Sequence, residues 1–421
     1  MVAPFLGSLI VFLLISMPVA VALGLASVVG IIIHPALDLT VVPQRIIIAL
    51  NSFPLMAIPF FILAGGLMQN GGVAQRLVDF ASTIVGHITG GLAMTVIITS
   101  LFFAAISGSG TATVLTIGSI LVPGMIAKGY ESGFISSTVS VSGALGIIIP
   151  PSIPLILYGI TAQVSVTEMF LAGIVPGVLL TMAMLIYAFV ISKKNGFPKE
   201  EKASLSEVAI SFVKSLPAIL MPVLVLGGIY GGIFTPTEAS VVAVVYGLLA
   251  GLFYKELTLK KIYNTLTSSA ISTAIIMIII GTSGLFSYYI QMIGIPAMLT
   301  EFMMNITTNP YIFLLIINLL LLIVGMFIEG SAAILILTPL LLPIATSVGV
   351  DPIHFGIVMI VNLAIGLCTP PVGLNLFAAS KISGVSISKL SMAVIPYIIV
   401  MLLVTLLVSF LPIFSLWFNF L

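Results

Sequence analysis

The sequence predicts an all-α polytopic membrane protein built from two inverted repeats, with two re-entrant hairpins and two broken helices. Three observations support this prediction: a composition poor in charge, double prolines that recur at one offset, and a one-sided distribution of cations. Of 421 residues, 60% are hydrophobic and 6% are charged, whereas a soluble domain carries about 25% charged residues. Several apolar stretches reach the roughly 20 residues that a membrane-spanning helix needs, namely 5–33, 134–158, 210–234 and 390–411.

The composition also argues against several other classes of protein. The single cysteine, Cys368, excludes an internal disulfide, and His34, His87 and His354 lack the spacing of metal ligands. A net charge of +1 without a basic block offers nothing to attract nucleic acid. The phosphate-binding pattern G-x-x-x-x-G-K-[ST] is missing from the sequence. We therefore predict neither an organic cofactor nor an enzyme.

An internal repeat divides the chain into two halves. An offset of 220 residues aligns glycines and prolines of the two halves, with Pro123 on Pro343, Gly146 on Gly366, Pro150-Pro151 on Pro370-Pro371, and Pro176 on Pro396. We therefore predict a first repeat over 1–192 and a second over 235–421. Residues 193–234 form a cytoplasmic, solvated linker and one connecting span. If each half crosses the membrane an even number of times, that added span inverts the second half.

Each half contains a small polar stretch and a double proline inside apolar sequence. We expect re-entrant hairpins near 88–128 and 309–349, whose tips are SGSGT (Ser107–Thr111) and EGSA (Glu329–Ala332). We expect broken helices near 134–158 and 353–380, because proline removes an intrahelical hydrogen bond. Backbone freed in this way is tolerated in a bilayer only where it is buried in protein or lines a cavity.

The lysines and arginines indicate the orientation, because short cytoplasmic loops are enriched in them. With the N-terminus inside, nine crossings and two hairpins that return to their own side, every lysine and arginine except Arg45 lies inside. Two full crossings per hairpin would give the same sidedness. The small polar tips favour re-entrance.

Tips and breaks together provide the groups that bind a cation and an anion. A break leaves carbonyl oxygens at the end of one half-helix and free N–H groups at the start of the next. Carbonyl and hydroxyl oxygens suit a small cation such as Na⁺, and helix N-termini suit a carboxylate. Inverted-repeat transporters combine both at the bilayer midplane. The candidate sodium ligands form two groups: Ser107, Ser109, Gly146 and Pro150, and then Gly325, Gly330, Ser331, Gly366 and Thr369.

Simpler roles for these residues stay open at this point. Glycine and serine also act as small packing residues between membrane helices, and proline can produce a plain kink. Glu329 either helps to hold a cation, takes up a proton, or caps a helix at the hairpin tip. The GSG around Ser109 is also compatible with an intramembrane serine hydrolase, but no histidine is expected at matching depth to serve as its base.

Five motifs spread over nearly the whole chain carry a resemblance to a known family. They are MPVAVALGLAS, SGSGTATVLTIGSILVPGMIAKGY, GALGIIIPPSIPLILYG, EGSAAILILTPLLLPIA and GLCTPPVGLNLF. Together they resemble the large membrane subunit of TRAP (tripartite ATP-independent periplasmic) transporters. The small membrane subunit is missing from this sequence, so the resemblance implies a separate small-subunit chain as partner.

The resemblance implies an elevator-type transporter in which both hairpins and both broken helices slide across a scaffold. It implies sodium-driven uptake of a C4-dicarboxylate, sialic acid or similar carboxylate, delivered by a periplasmic substrate-binding protein. The location is then the lipid of a bacterial inner membrane, with a cytoplasmic N-terminus and a periplasmic C-terminus. The family's sodium sites fall on the two groups above. The substrate lies between the tips, near Gly110, Thr111, Ser152, Glu329, Val372 and Gly373.

Two other interpretations remain beside this one. The first is a stand-alone divalent-anion/sodium symporter or an ion antiporter of similar architecture. The second, from a different class, is the intramembrane hydrolase.

Overall fold

A computed structural model describes residues 2–420 of the chain. Within this range the backbone forms α-helices and three short 3-10 helices, with no β-strand. The predicted all-helical fold is therefore confirmed.

Glycines with positive φ angles lie at several helix ends in the first part of the chain. Gly72, Gly90 and Gly108 have positive φ angles of 76°, 78° and 58° at the turns before α5, before α6 and after α6, a conformation that glycine adopts without steric cost. The helices are α1 (Val2–Leu14), α2 (Val19–Ile33), α3 (Val41–Leu50), α4 (Ala57–Asn70), α5 (Val73–Val85), α6 (Gly91–Ser107), α7 (Gly110–Ala127), α8 (Ser132–Ser142), α9 (Leu145–Ile148), α10 (Ile153–Thr161) and α11 (Val166–Asn195).

Side-chain caps begin several helices in the rest of the chain. Ser204 with Glu207, and Thr235 with Glu238, form reciprocal capping boxes, which satisfy N–H groups that the first helical turn leaves free. The helices are α12 (Leu205–Tyr230), α13 (Pro236–Phe253), α14 (Leu259–Met292), α15 (Ile295–Ile306), α16 (Pro310–Phe327), α17 (Gly330–Ser347), α18 (Pro352–Gly366), α19 (Leu374–Ser383) and α20 (Ile387–Phe410).

Many of these helices are long and apolar enough to cross a membrane. Nine meet that criterion by length and composition in the part of the chain that the structure describes. They are α4 with the turn before it, α7, α11, α12, α13, α14, α16, α17 and α20. Helices α8 to α10 form a further apolar stretch, bent by 41° at the first double proline. The chain is thus a multi-pass membrane protein, and three of the nine helices, α7, α16 and α17, are arms of helical hairpins.

The helices pack around two apolar cores. The larger core contains both hairpins and both proline-containing segments and extends over α4, α5, α11 to α13 and α20. The smaller core joins α1, α2, α14 and α15 around Phe5, Leu23 and Tyr289. Each hairpin also packs on the broken helix of the other half, α7 on α19 and α17 on α10. The two halves therefore pack against each other in the region where the hairpins contact the broken helices.

The loop between α11 and α12 is exposed at most of its residues, and it also contacts the rest of the protein through Phe197 and Glu200. The Glu200 carboxylate pairs with Lys128 at the end of α7 and accepts a hydrogen bond of 2.9 Å from Ser82 of α5. Burial favours the neutral carboxyl, but the hydrogen bonds from Lys128 and Ser82 outweigh it and lower the pKa of Glu200. Phe197 stacks on Tyr130 with ring centroids 4.8 Å apart. The loop is held because it combines one buried aromatic ring with a paired carboxylate.

Candidate functional site

The first hairpin tip is a compact cluster of hydroxyl and carbonyl oxygens. Residues 108–109 form the turn, and the Ser107 and Thr113 hydroxyls lie 3.0 Å apart. Thr113 Oγ1 also donates to the Ser109 carbonyl at 2.9 Å. Ser109 begins α7 without a side-chain hydrogen bond to the free N–H groups of that helix. The tip therefore combines hydroxyl and carbonyl oxygens with α7 N–H groups that the Ser109 side chain does not cap.

The first tip lies directly against the first broken helix. A Cβ atom at Gly146 would stand 2.5 Å from the Ser109 carbonyl oxygen and 2.9 Å from the Gly110 nitrogen. A Cβ at Gly108 would stand 3.3 Å from the Pro151 carbonyl oxygen. The structure thus places Ser109 and Gly146 at one contact between two backbones, with the Ser107 hydroxyl 3.4 Å from the Ser109 carbonyl oxygen.

The break itself separates α9 from α10 at residues 149–152. It contains Pro150 and Pro151, joined by a cis peptide bond. Ser152 connects the two sides, because its hydroxyl donates to the Ile147 carbonyl at 2.6 Å and accepts from the Leu155 N–H at 3.4 Å. The Ser152 side chain is thus a helix cap in this structure.

The second break, residues 367–373, meets the end of α16. A Cβ at Gly366 would stand 2.5 Å from both Cα and C of Gly325. The Gly373 N–H donates to the Met326 carbonyl at 3.0 Å, and Thr369 Oγ1 donates to the Ile365 carbonyl at 2.7 Å. Val372 lies half-buried within the same break. Gly325, Gly366, Thr369 and Gly373 are therefore close neighbours, as a common site would need.

At the second tip, Glu329 caps α17. Its carboxylate accepts hydrogen bonds from the Ser331 N–H at 2.9 Å, the Ala332 N–H at 3.2 Å and the Ser331 hydroxyl at 3.0 Å. Gly330 has open space where a Cβ would lie. Among the described residues, no hydrogen bond joins Ser331 to Thr369. The second tip is thus organised around a carboxylate, whereas its counterpart around Ser109 is organised around hydroxyls.

This cap yields a prediction for Glu329. The substitution Glu329→Gln keeps an oxygen that accepts from the α17 N–H groups, so we expect uptake close to that of the wild type. We expect a loss of stability of about 1 kcal/mol or less, the usual scale of a helix cap. The measurement is uptake at pH 6 and pH 8 together with the unfolding temperature, with Glu329→Ala as the variant that loses the cap. A large loss of uptake in Glu329→Gln at unchanged unfolding temperature would contradict the capping role and indicate that the carboxylate acts on a cation or proton.

Asn375 is a residue of this region that the sequence analysis missed. It accepts a hydrogen bond of 3.3 Å from Thr111 of the first tip, and its Nδ2 lies 3.4 Å from Sγ of Cys368. Cys368 in turn donates to the Ser140 carbonyl in α8 at 3.3 Å. Asn375 is fully buried and connects one hairpin to the opposite broken helix. A signal was present, because an amide side chain two residues after PPVG stands out in an apolar segment.

Two cavities open beside the tips. One of about 270 Å³ is lined by Ser107 and Ser109 together with α4 and α14. The other, of about 610 Å³, is lined by Glu329 and Ser331 together with α2 and α14. Both are bounded by Ser272 and Ile276 of α14. The face of α14 at these two residues therefore borders the space beside both tips.

Comparison with known proteins gives one clear family relationship. The family model described as "Tripartite ATP-independent periplasmic transporter, DctM component" matches residues 6–414. The C4-dicarboxylate TRAP transporter large permease protein DctM of Rhodobacter capsulatus is 40% identical over 97% of each chain. The sialic acid TRAP transporter large permease protein SiaM of Vibrio cholerae is 36% identical over 95% of this chain and 94% of its own.

A longer relative has an additional part. The isethionate TRAP transporter permease protein DctMQ of Oleidesulfovibrio alaskensis is 43% identical over 98% of this chain, but this chain spans 65% of its length.

Two solved structures share the fold. They are the YdaH transporter of Alcanivorax borkumensis (TM-score 0.69, 15% identity, 98% of each chain) and MtrF of Neisseria gonorrhoeae (TM-score 0.65, 12% identity, 97% of this chain and 94% of that one).

Proposed function

Because this chain belongs to the DctM family of tripartite ATP-independent periplasmic transporters, a family of transport proteins and not enzymes, we propose that it imports an organic anion by sodium symport. The observation that carries the proposal is the close approach of each hairpin to a broken helix, through Gly146 at Ser109 and through Gly366 at Gly325. These contacts bring backbone carbonyls, hydroxyls and helix N-termini into two small regions of an apolar protein. Such groups bind ions where charged side chains are scarce.

The two contacts supply the oxygens for sodium. In the first region, Ser107 and Ser109 contribute hydroxyl and carbonyl oxygens near Gly146 and Pro150. In the second, carbonyls around Gly325 and Gly366 lie beside the Thr369 hydroxyl, with Gly330 and Ser331 on the hairpin side. Hard oxygen ligands of this kind suit Na⁺. The fit is supported by the glycines, since a side chain at either contact would separate the backbones.

The anion lies between the tips, facing α14. The N-terminus of α7 carries N–H groups without a side-chain cap at Gly110 and Thr111, and such a helix end attracts a carboxylate. Ser272 of α14 borders the cavities beside both tips. The relatives named for C4-dicarboxylate, sialic acid and isethionate support an organic anion as cargo. A site made mostly of backbone groups leaves discrimination among these anions to a binding protein.

Sodium coupling has an energetic reason. An anion entering a cell that is negative inside moves against about 2.3 kcal/mol per charge for each 100 mV. Two or more sodium ions moving inward offset that cost for a dianion. Coupling in this way needs no ATP.

The family supports a proposal for the partners, and the distribution of lysines and arginines supports one for the orientation. We infer a separate small membrane subunit, supported by the longer DctMQ relative, of which this chain spans 65%, and a periplasmic binding protein that delivers the anion. The location is a bacterial inner membrane with the N-terminus in the cytoplasm and the C-terminus in the periplasm. With that orientation, Arg45 is the one lysine or arginine of the sequence on the periplasmic side of the membrane.

The architecture is proposed to be an inverted repeat with an elevator motion. Helices α7 and α17 begin 220 positions apart, at Gly110 and Gly330, and α8 and α18 begin 220 positions apart, at Ser132 and Pro352. This regular spacing supports two homologous halves, and opposite orientation follows from the connecting span α12. The interlocked hairpins and broken helices then slide together as the moving domain.

Reconstitution tests this function. The chain is placed in liposomes with its small subunit, and loaded binding protein is added outside with an inward Na⁺ gradient. We expect uptake of at least one anion among succinate, sialic acid and isethionate, and a loss of about tenfold when K⁺ replaces Na⁺, in the range usual for coupled sites. Equal uptake in K⁺ would rule out the sodium sites. Full uptake without any binding protein would favour the stand-alone symporter.

A further inference from the structure

A third cavity lies away from both tips, between α3, α14, α17 and the end of α10. Its volume is about 280 Å³, and Arg45 is the one charged residue among the described residues that line it. The polar groups around Arg45 come from Gln163, Ser283, Ser287 and Gln291. A cavity with one cation and several neutral hydrogen-bonding side chains has the chemistry of an anion site.

Arg45 is held in place but lacks an acidic partner. Its guanidinium carbon lies 3.8 Å from the ring centroid of Tyr288, and α3 can come this close because Gly284 of α14 faces Ala49, where a Cβ on the glycine would be 2.3 Å from the alanine Cβ. Within residues 2–420, the ion pairs are Lys128 with Glu200 and Lys261 with Glu256. The stacking on Tyr288 occupies one face of the guanidinium, so its edge N–H groups remain available to a ligand.

Ser283 gives a second, independent indication of a ligand. Its side chain is 2% exposed, and its hydroxyl has no hydrogen-bond partner among the described residues. Ser287, one turn further along, accepts a hydrogen bond of 3.2 Å from Gln291. An unpartnered buried hydroxyl costs free energy, and that cost disappears when an oxygen of a ligand accepts a hydrogen bond from it. Ser283 lines the same cavity as Arg45.

The position of this cavity connects it to the tips. Ser269, Ser272, Ser283, Ser287 and Gln291 are spaced by multiples of helical turns, so they lie along one face of α14, and they line the first-tip cavity at one end and the Arg45 cavity at the other. The eleven residues from Ser272 to Ser283 rise by about 16 Å along a helix. The Arg45 cavity thus lies about 16 Å along α14 from the first-tip cavity, on a face where Ile276 and Ile280 separate the two groups of polar residues.

We propose that the Arg45 cavity is an entrance subsite that binds the carboxylate, or another anionic group, of the organic anion before it reaches the tips. Arg45 pairs with the anionic group and Ser283 donates to it. This inference rests on the proposed function, because it needs an anionic cargo that enters from the side where Arg45 lies. A lipid phosphate offers the same chemistry as a carboxylate, and the experiment separates the two.

The first test measures occupancy directly. The native Cys368 is buried, so the substitution Gln163→Cys gives this chain one accessible thiol, located at the cavity. The full chain is studied together with its small subunit in proteoliposomes. We expect an anionic methanethiosulfonate added outside to label it, and millimolar succinate, sialic acid or isethionate to slow that labelling. The added substitution Arg45→Gln should remove the protection. Labelling that responds to phosphatidylglycerol content but to none of the three anions would overturn the proposal in favour of a lipid headgroup.

The second test measures transport. With Arg45→Gln we expect the half-saturating concentration to rise about tenfold, the scale of a lost charge-assisted hydrogen bond, and Arg45→Lys should recover part of this loss. Arg76→Gln is the matched control, because Arg76 also stacks on a tyrosine at 3.8 Å, Tyr254, away from this cavity. Wild-type affinity in Arg45→Gln would overturn the subsite and leave the proposed function intact. A wild type that transports none of the three anions would overturn the proposed function, and the labelling result would then decide the cavity by itself.

Discussion

Replacing Gly366 with alanine is expected to lower uptake by about 100-fold or more. The added Cβ would stand 2.5 Å from backbone atoms of Gly325, and a backbone has no rotamer through which it can move aside. Forcing extra volume into a packed core costs about 1–3 kcal/mol or more, and roughly 2.7 kcal/mol corresponds to a factor of 100. Because the strain falls on the contact between α16 and the second break, we expect the loss to appear in transport at least as strongly as in stability.

The matched control for Gly366→Ala is Gly330→Ala, which keeps the Gly330 carbonyl oxygen, the one group of this residue that can bind sodium. Gly330 belongs to the same hairpin, but a Cβ there meets nothing within 4 Å. We expect near wild-type uptake from it, measured in the same proteoliposomes with the amount of inserted protein determined for each variant. If Gly366→Ala transports as well as Gly330→Ala, the close contact of the two glycines is not required, and the second sodium site needs another location.

The second large effect is expected at Asn375. The substitution Asn375→Leu removes the acceptor of Thr111 and the amide beside Cys368. Losing a buried hydrogen-bonding group costs about 1–3 kcal/mol, and we expect uptake to fall about 30-fold, which corresponds to roughly 2 kcal/mol. The reason is that this side chain joins the first tip to the opposite broken helix. Uptake and unfolding temperature are measured together.

Asn362→Leu provides the control for Asn375. Asn362 is equally buried, but it bonds to Asn318 at 2.6 Å and Val358 at 2.8 Å, both in the second half of the chain. We expect a similar fall in the unfolding temperature and a smaller fall in uptake per inserted molecule. A loss of uptake in Asn375→Leu that merely matches that of Asn362→Leu would show that the connection between the halves has no special role in transport.

Local features of the sequence predict much of the architecture. Low charge and long apolar stretches predict membrane helices, because lipid requires that each segment satisfy its own backbone hydrogen bonds. The motifs around the two double prolines identify the family. The helix ends at Ser107 and Gly330 lie beside glycine and small polar residues, whose backbone freedom is visible in the sequence. Re-entrance, inversion and the sodium ligands stay predictions.

Features that depend on distant parts of the chain were not predictable in this way. Asn375 gains its role from Thr111, 264 residues away, and the Glu200 carboxylate bonds to Ser82, 118 residues away. The Arg45 cavity is built by four elements that lie far apart in the sequence. A pattern within one segment reports that segment's own hydrogen bonds and burial, whereas these sites depend on which segments pack together.

The docked linker bears on how fast the transporter works. Lys128 lies at the end of α7, which belongs to the domain proposed to slide, and it is fastened to Glu200 near the start of α12. An exposed ion pair of this kind contributes about 0–1 kcal/mol, and dissolved salt weakens it over a distance of about 8 Å at physiological ionic strength. If that domain slides as proposed, the ion pair between Lys128 and Glu200 has to open in each turnover, and a higher ionic strength would make its opening easier.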